Sequence, residues 1–279
     1  MFFMAGCATM DNRARATINT FFAPNAQLYA GLNPSALPLR GARRLTVGSH
    51  TDFIFTLLNR TNWAGFYQDS SLNGYLNGSF PKGFIERQLQ RDRGWQPINE
   101  GDGSWQSRFI EISLPQSNHI FVSTGSVVAL SQRQNPPPAS FLPGDVVNAL
   151  THNALTLYSP QFANLLGLLN FSLPLPIDGG LLLTLSDSDN VAAAINQLFV
   201  TTSGRYQLWG FIESPSALNA RLLNTLFRTM RLSFNPDSLW HKLENEALGN
   251  RVYFYLPLTR GESEQLLATL IDQLAGGFL

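Results

Sequence analysis

Ser159 to Leu185 reads SPQFANLLGLLNFSLPLPIDGGLLLTL, with Asp178 as its one ionisable side chain. Ser159 is a candidate N-cap, and Pro160 fits the first helical position, where a missing N–H costs nothing. From there Phe162, Leu165, Leu166, Leu169 and Leu173 recur at spacings of three and four, while Ala163, Leu168 and Phe171 carry apolar surface onto the flanks. The pattern predicts a helix with little circumference left for water. Pro174 and Pro176 end it after about a dozen residues, short of the roughly 20 apolar residues that cross a bilayer. Two readings stand side by side: a helix at the centre of a core, or one that lies on a membrane or lines a lipid cavity. On the second, Phe162, Leu165, Leu166, Leu168, Leu169 and Phe171 are the contacts with membrane or apolar ligand.

The rest of the chain offers little charge to set against this segment. Of 279 residues 14% are charged, against roughly 25% in an ordinary soluble protein, and 19 basic side chains balance 19 acidic ones. Nucleic acid needs a basic groove with interleaved aromatics, and the arginines here are scattered singly or in short groups such as Arg87, Arg91 and Arg93. A single cysteine, Cys7, excludes an intrachain disulfide and a cysteine-held zinc or iron–sulfur centre. Asn, Ser, Gln and Thr stand in for charge, a composition common in exported proteins.

Outward from the apolar segment, the sequence alternates short strands and amphipathic helices, an α+β pattern of mixed α/β/α layers with mainly antiparallel strands. On the N-terminal side the expected elements are a strand at Arg44–Ser49, a helix at Asp52–Asn59 and a loop rich in Asn, Gly and Ser. A strand at Tyr75–Ser79, a helix at Pro81–Arg93 and a hairpin built from Trp105–Leu114 and His119–Ser123 follow. Asn135–Pro138 with Pro143 and Gly144 reads as a linker. Beyond it come a helix over Asp145–Tyr158, the apolar segment, a strand at Leu181–Leu185 and a helix at Ser188–Phe199 capped by Ser188 or Asp189. A strand at Tyr206–Glu213, a long helix at Ser216–Phe234, a strand at Asn250–Leu258 and a closing helix at Glu262–Leu274 complete the chain. The implied organisation is a leader at 1–7, a tether and irregular segment at 8–39, a first α+β half at 40–135, a linker at 136–144 and a second half at 145–279. The order of elements suggests that the halves are a duplication; chance similarity of two α+β stretches is the alternative.

Catalytic patterns are sparse. There is no Ser elbow between glycines and no phosphate-cradling G-x-x-x-x-G-K-[ST], and Gly101-Asp102-Gly103 lacks the next required glycine. His50, His119, His152 and His241 lie far apart, with no second ligand at metal spacing. Asp69, Ser71, Asn73 and Gly74 suggest a calcium loop, but Phe80 stands where the bidentate carboxylate belongs. Glu100 with Asp102, beside Trp95 and Trp105, is a remote candidate acid–base pair for a glycosidase. The sequence therefore predicts no catalytic residue, no metal and no cofactor.

The chain opens MFFMAGC, in which Ala5 and Gly6 precede Cys7 after a short apolar run. This resembles the end of a bacterial lipoprotein signal, with Cys7 as the lipidated residue; the bland alternative is a buried thiol. With its lipobox-like start, low charge and leucine-rich amphipathic helices, the chain resembles spirochaetal lipoproteins of the treponemal thirty-kilodalton outer-membrane type. The resemblance implies a mixed α/β/α fold, amphipathic helices that enter one bilayer leaflet and a cavity for lipid. The expectation is a non-catalytic, lipid-anchored envelope protein on the periplasmic face of the outer membrane, whose partner is membrane lipid and whose ligand is a fatty acid or glycolipid. A secreted or periplasmic hydrolase and a scaffold or adhesin subunit are the alternatives.

Overall fold

A computed structural model of the chain describes residues 21–37, 57, 59–91, 94–98, 103–108, 110–116, 118–127, 130, 141–161, 179–187, 192–200, 206–267 and 269. The expected strand at 44–49, nearly all of the helix at 52–59, the proline tract at 135–138 and the apolar helix after Gln161 lie outside them. The fold is α+β, and the chain divides into two compact units, Met1–Ser35 with Thr46–His152 and Ala36–Leu45 with Asn153–Leu279. The division falls at His152, after the helix that follows the proline tract.

Unit 1 contains β1 (Leu28–Leu32), β2 (Thr61–Gln68), β3 (Leu72–Gly78), β4 (Gln96–Pro97), β5 (Ser104–Gln106), β6 (Glu111–Gln116) and β7 (His119–Ser123), with helices α1 (Lys82–Arg91) and α2 (Gly144–His152). Its strands lie in the order β1-β2-β3-β7-β6-β5-β4, and each pairing is antiparallel. Successive side chains alternate across the sheet. On one face Leu76, opposite Ala64 and Ile120, joins Ile112, Leu114 and Trp105 in an apolar core closed by Ile85 and Leu89 of α1. On the other face Asn73 and Ser123 are paired, the Ser123 hydroxyl donating to Asn73 Oδ1 at 2.9 Å. Next to them Phe21 meets the Tyr67 ring edge-on at 5.1 Å. Trp63 Nε1 donates to the carbonyl of Leu150 at 2.9 Å, which ties α2 to β2. Gly31 lies directly against that same carbonyl, where a Cβ would collide.

Two of these strands, β1 and β2, run through stretches expected to be irregular. Their Gly, Ala and Asn residues hide the alternation, and the turn between β2 and β3 supplies what the pattern lacks. The Asp69 carboxylate accepts the Ser71 N–H at 2.9 Å and the Asn73 Nδ2–H at 3.3 Å. The cluster that hinted at a calcium loop is an Asx turn that closes a hairpin. The expected strand at Trp105–Leu114 is two strands, β5 and β6, paired with each other. Pro97 at the end of β4 lies on the outermost strand of unit 1.

Unit 2 contains β8 (Leu155–Ser159), β9 (Leu181–Ser186), β10 (Tyr206–Glu213), β11 (Glu244–Leu248) and β12 (Arg251–Leu258), with helices α3 (Ala193–Leu198) and α4 (Ala217–Ser233). Residues 260–267 are also helical. The order is β8-β9-β10-β12-β11. The expected helix over Asp145–Tyr158 stops at His152, and its last part is β8. Leu155, Leu157 and the small residues around them satisfy both periods, and pairing with β9 from Leu155↔Leu185 to Ser159↔Leu181 decides for the strand. Ser159 therefore ends a strand, and its hydroxyl donates to the carbonyl of Gln161 at 2.6 Å. The helix expected from Ser188 is described from Ala193, with Ala192 as an N-cap that makes no side-chain bond. β11 was not expected at all, since Glu-Asn-Glu-Ala-Leu has weak strand propensity and relies on its hairpin with β12.

β10 is the central strand. Eight of its residues pair with β12 and six with β9, and Gln207 to Ile212 are buried. Leu208 joins Leu185, Leu256 and Leu258 on the apolar face. On the other face Thr184, Trp209 and Tyr255 stand in one row. The Trp209 indole donates to Ser186 Oγ at 3.0 Å, and Phe199 stacks on Tyr255 at 5.7 Å. At the strand end Arg251 holds Glu213 at 2.6 Å and lies over the Phe211 ring at 4.0 Å. Gly210 faces the Leu182 carbonyl and the Phe254 ring at distances that leave no room for a Cβ.

Helix 260–267 opens with a capping box. The Glu262 N–H donates to Thr259 Oγ1 at 3.3 Å, and the Thr259 N–H donates to Glu262 Oε2 at 2.7 Å. That backbone bond, helped by Lys242 at 2.9 Å, draws the Glu262 carboxyl down from its ordinary 4.5 to about 2.

Two predictions follow from these contacts. Gly210→Val should cost about 2–3 kcal/mol in urea denaturation by overpacking; Gly261→Ala, in a helix with nothing near its Cβ, should be neutral or stabilise by up to about 1 kcal/mol. Because the folded pKa of Glu262 is lowered, its stabilising contribution is complete above 4.5 and is lost as pH falls through about 2. Glu262→Gln should therefore flatten the stability profile between those two pH values; an unchanged acid limb would show that the cap carries none of it.

Candidate membrane-facing surface

Five of the exposed large apolar side chains among the described residues, Leu218, Leu222, Leu232, Phe234 and Trp240, lie along α4 and the turn after it. The helix forms for local reasons. Ser216, extended at φ −149° and ψ 160°, accepts the Asn219 N–H at 3.2 Å as N-cap. Ala, Leu and Arg fill the interior, and Phe234 returns to extended backbone just before Asn235-Pro236, where a proline disfavours continuing.

Its inner face combines apolar and polar groups. Ala220, Leu223 and Asn224 are buried, and the Asn224 carbonyl accepts the Asn245 Nδ2–H of β11 at 3.0 Å. Arg231 donates to the Leu243 carbonyl at 3.0 Å. The outer face carries Leu218, Leu222 and Leu232, exposed by 66, 62 and 74%. Thr225 and Thr229 lie between them in the same strip. Both threonine hydroxyls turn back onto the helix, donating to the carbonyls of Arg221 and Thr225 at 3.0 Å each. The strip therefore presents leucine side chains and threonine methyls, with its side-chain polar groups already bonded. This is the arrangement that lets Ser and Thr enter an apolar phase at low desolvation cost.

The strip continues at its C-terminal end into Phe234 and into a 3-10 turn, Leu239–Lys242, whose Trp240 is 41% exposed. Charges flank the strip but stay out of it. Arg228 pairs with Glu246, and Lys242 with Glu262. No helix among the described residues is long and apolar enough to cross a membrane.

The residues singled out from sequence fare differently. Cys7, Phe162, Leu165, Leu166, Leu168, Leu169 and Phe171 lie outside the described residues. His119 stacks on Tyr75 at 5.7 Å, and burial lowers its pKa; His152 sits at the end of α2 with Nδ1 2.8 Å from the Asn148 carbonyl. His241 is in the 3-10 turn. Among the described residues no three His, Cys, Asp or Glu side chains gather as metal ligands. Trp95 and Trp105, the imagined sugar platform, are buried in the apolar core of unit 1. The α4 strip escaped the sequence reading because leucines occur on both sides of this helix. Only the pairing of Asn224 with Asn245 reveals which side faces the sheet.

No family model matches the chain, and no curated protein does. Solved structures do. Crystal form III of TP0453, a Treponema pallidum protein, matches with a TM-score of 0.66 at 17% identity, covering 90% of this chain and 96% of that one. Crystal form IV gives 0.63 at 16% identity over 91% and 95%, and crystal form I gives 0.60 at 16% over 90% and 95%. The likeness extends over both units, and what it establishes is that this chain has the mixed α+β fold of TP0453.

Proposed function

We propose that this chain is a non-catalytic envelope lipoprotein that associates with a membrane and binds lipid, a fatty acid or glycolipid being the expected ligand class. The observation that carries the reading is the outer strip of α4, three exposed leucines and two internally bonded threonines in one row. A surface helix in water ordinarily carries polar residues there. The fold supports the reading, since TP0453 is a treponemal envelope lipoprotein, and so does the Ala5-Gly6-Cys7 sequence.

Magnitudes explain why two attachments belong together. Burying the exposed parts of three leucines gains about 4 kcal/mol, which corresponds to about millimolar affinity. A single acyl chain is also marginal, and stable anchoring takes two signals. Lipidated Cys7 and an apolar helical surface together meet that need. In this reading the protein sits on the periplasmic face of the outer membrane, and the Phe162–Phe171 segment adds apolar contact.

The test uses the full chain. Cys7→Ser should shift the protein from the membrane fraction toward the soluble one in its native cell while leaving measurable co-sedimentation with phosphatidylcholine vesicles. Leu165→Glu with Leu168→Glu should weaken that co-sedimentation with a nearly unchanged melting temperature. A Cys7→Ser protein that neither co-sediments nor takes up a fluorescent fatty acid would end the proposal; unfolding of the double variant would assign the apolar segment to the core.

A further inference from the structure

Unit 1 carries a group of arginines that the apolar contact of unit 2 leaves unused. Arg60 stands in the turn before β2, and its backbone fixes its place: its N–H donates to the Leu57 carbonyl at 3.0 Å, and its carbonyl accepts the Ser79 N–H at 2.9 Å. Gly78 lies so close to that carbonyl that a Cβ would collide with it. From there the Arg60 guanidinium reaches the first turn of α1 and lies over the Phe84 ring at 4.5 Å. Phe84, Arg87 and Arg91 follow at spacings of three and four, so they share one side of α1. Arg87 and Arg91 are exposed, and Arg60 is half-buried. Arg87 Nε donates to the Gly83 carbonyl at 2.8 Å, which spends one of its five donors. Arg60, Arg87 and Arg91 thus form a row along the outside of α1, about 10 Å long at 1.5 Å per residue.

No acid answers this row. Glu86, the carboxylate of α1, lies 3.8 Å from Lys82, and among the described residues none of Arg60, Arg87 and Arg91 is ion-paired. The two residues that follow in sequence, Asp92 and Arg93, cancel in formal charge. Cations near the C-terminus of a helix stabilise it, which accounts for Arg91. Arg60 has no such reason. It comes from another element and sits at the N-terminal turn of α1, where the helix dipole disfavours a cation. In a chain whose charges sum to zero, three guanidinium groups within about one Debye length reinforce one another.

We infer that the Arg60, Arg87 and Arg91 row is a recognition site for the phosphates of anionic lipid headgroups, held to the membrane surface by charge and not inserted in it. The inference rests on the membrane reading above and deepens it by naming a headgroup class. A protein partner would need an apolar centre to its contact. On α1 the exposed side chains are Lys82, Arg87, Gln90 and Arg91, and the one aromatic, Phe84, lies beneath Arg60. Single-stranded nucleic acid would need exposed rings on which to stack its bases. An anionic leaflet needs neither, because each cation near its surface is attracted on its own account. Guanidinium forks also match phosphate oxygens two bonds at a time.

The experiment measures partitioning of full-length Cys7→Ser protein onto vesicles of phosphatidylcholine, alone or mixed with phosphatidylglycerol, at low and high salt. Phosphatidylglycerol should raise partitioning by about tenfold or more at low salt, and high salt should remove the gain. Arg87→Gln should cost about fivefold of that gain, and adding Arg91→Gln about fivefold again, with melting temperature and binding to phosphatidylcholine kept. Arg87→Lys with Arg91→Lys, which keeps the charge, should retain most of it. Arg260→Gln, which takes one charge from an ion pair of unit 2, should cost nothing. A gain that survives the double Gln variant, or that falls as far with Arg260→Gln as with Arg87→Gln, overturns the site. If phosphatidylcholine vesicles bind and phosphatidylglycerol adds nothing, this inference fails and the membrane reading stands; absence of co-sedimentation with either mixture overturns both. A soluble Glu-rich peptide that binds through Arg87 and Arg91 while phosphatidylglycerol adds nothing would assign the row to an acidic protein and overturn the inference.

Discussion

The second unit hangs on the double pairing of β10. A strand buried on both faces has every backbone N–H and C=O committed to its neighbours, and its side chains cannot change faces without moving the whole register. Gly210 brings that strand against the Leu182 carbonyl and the Phe254 ring more closely than any side chain allows. Once β9, β10 and β12 are aligned, Leu208 falls among Leu185, Leu256 and Leu258, and Trp209 falls between Thr184 and Tyr255. The position of α4 follows. Only three residues link Glu213 to Ala217, so the helix must return along the sheet, where Asn224 finds Asn245.

What the sequence made legible follows from this. Tyr206–Glu213, Leu181–Leu185 and Ser216–Phe234 are visible because their residues are dense, apolar and bounded by turn or cap residues, and each appears within a residue or so of its expected span. The elements that stayed hidden depend on partners. β2 contains Asn, Ala and Gly, and is a strand because β1 and β3 complete its ladders on both sides. β11 is a strand through its hairpin alone. Leu155–Ser159 fits two periods, and only its register against β9 distinguishes them. The candidate surface was hidden for a related reason: a helix with leucines all round does not say which of them are inside. A polar pair, Asn224 with Asn245, settles the matter, and its two members lie twenty-one positions apart.

Within the exposed strip of α4 the side-chain polar groups are bonded to the helix itself. The capping box of Thr259 and Glu262 closes one helix end, and Ser216 closes another. The hydroxyls of Thr225 and Thr229 are bonded whether water is present or not. Passage of such a surface from water to hydrocarbon changes its solvation but breaks no internal bond.

Pro97 bears on how copies of this chain would crowd at the membrane proposed above. A protein confined to a membrane moves in two dimensions, and its local concentration exceeds anything it would reach in bulk solution. Open sheet edges then become hazards, since each presents a row of donors and acceptors to the next molecule. In unit 1 the outermost strand is two residues long and ends in a residue with no N–H to give. In unit 2 the outermost strand carries Glu244 and Glu246, charges that like molecules would have to bring together. Crowded side by side, on a membrane as proposed or in solution, copies of this chain would meet at edges that decline to pair, and could be dense without growing into fibres.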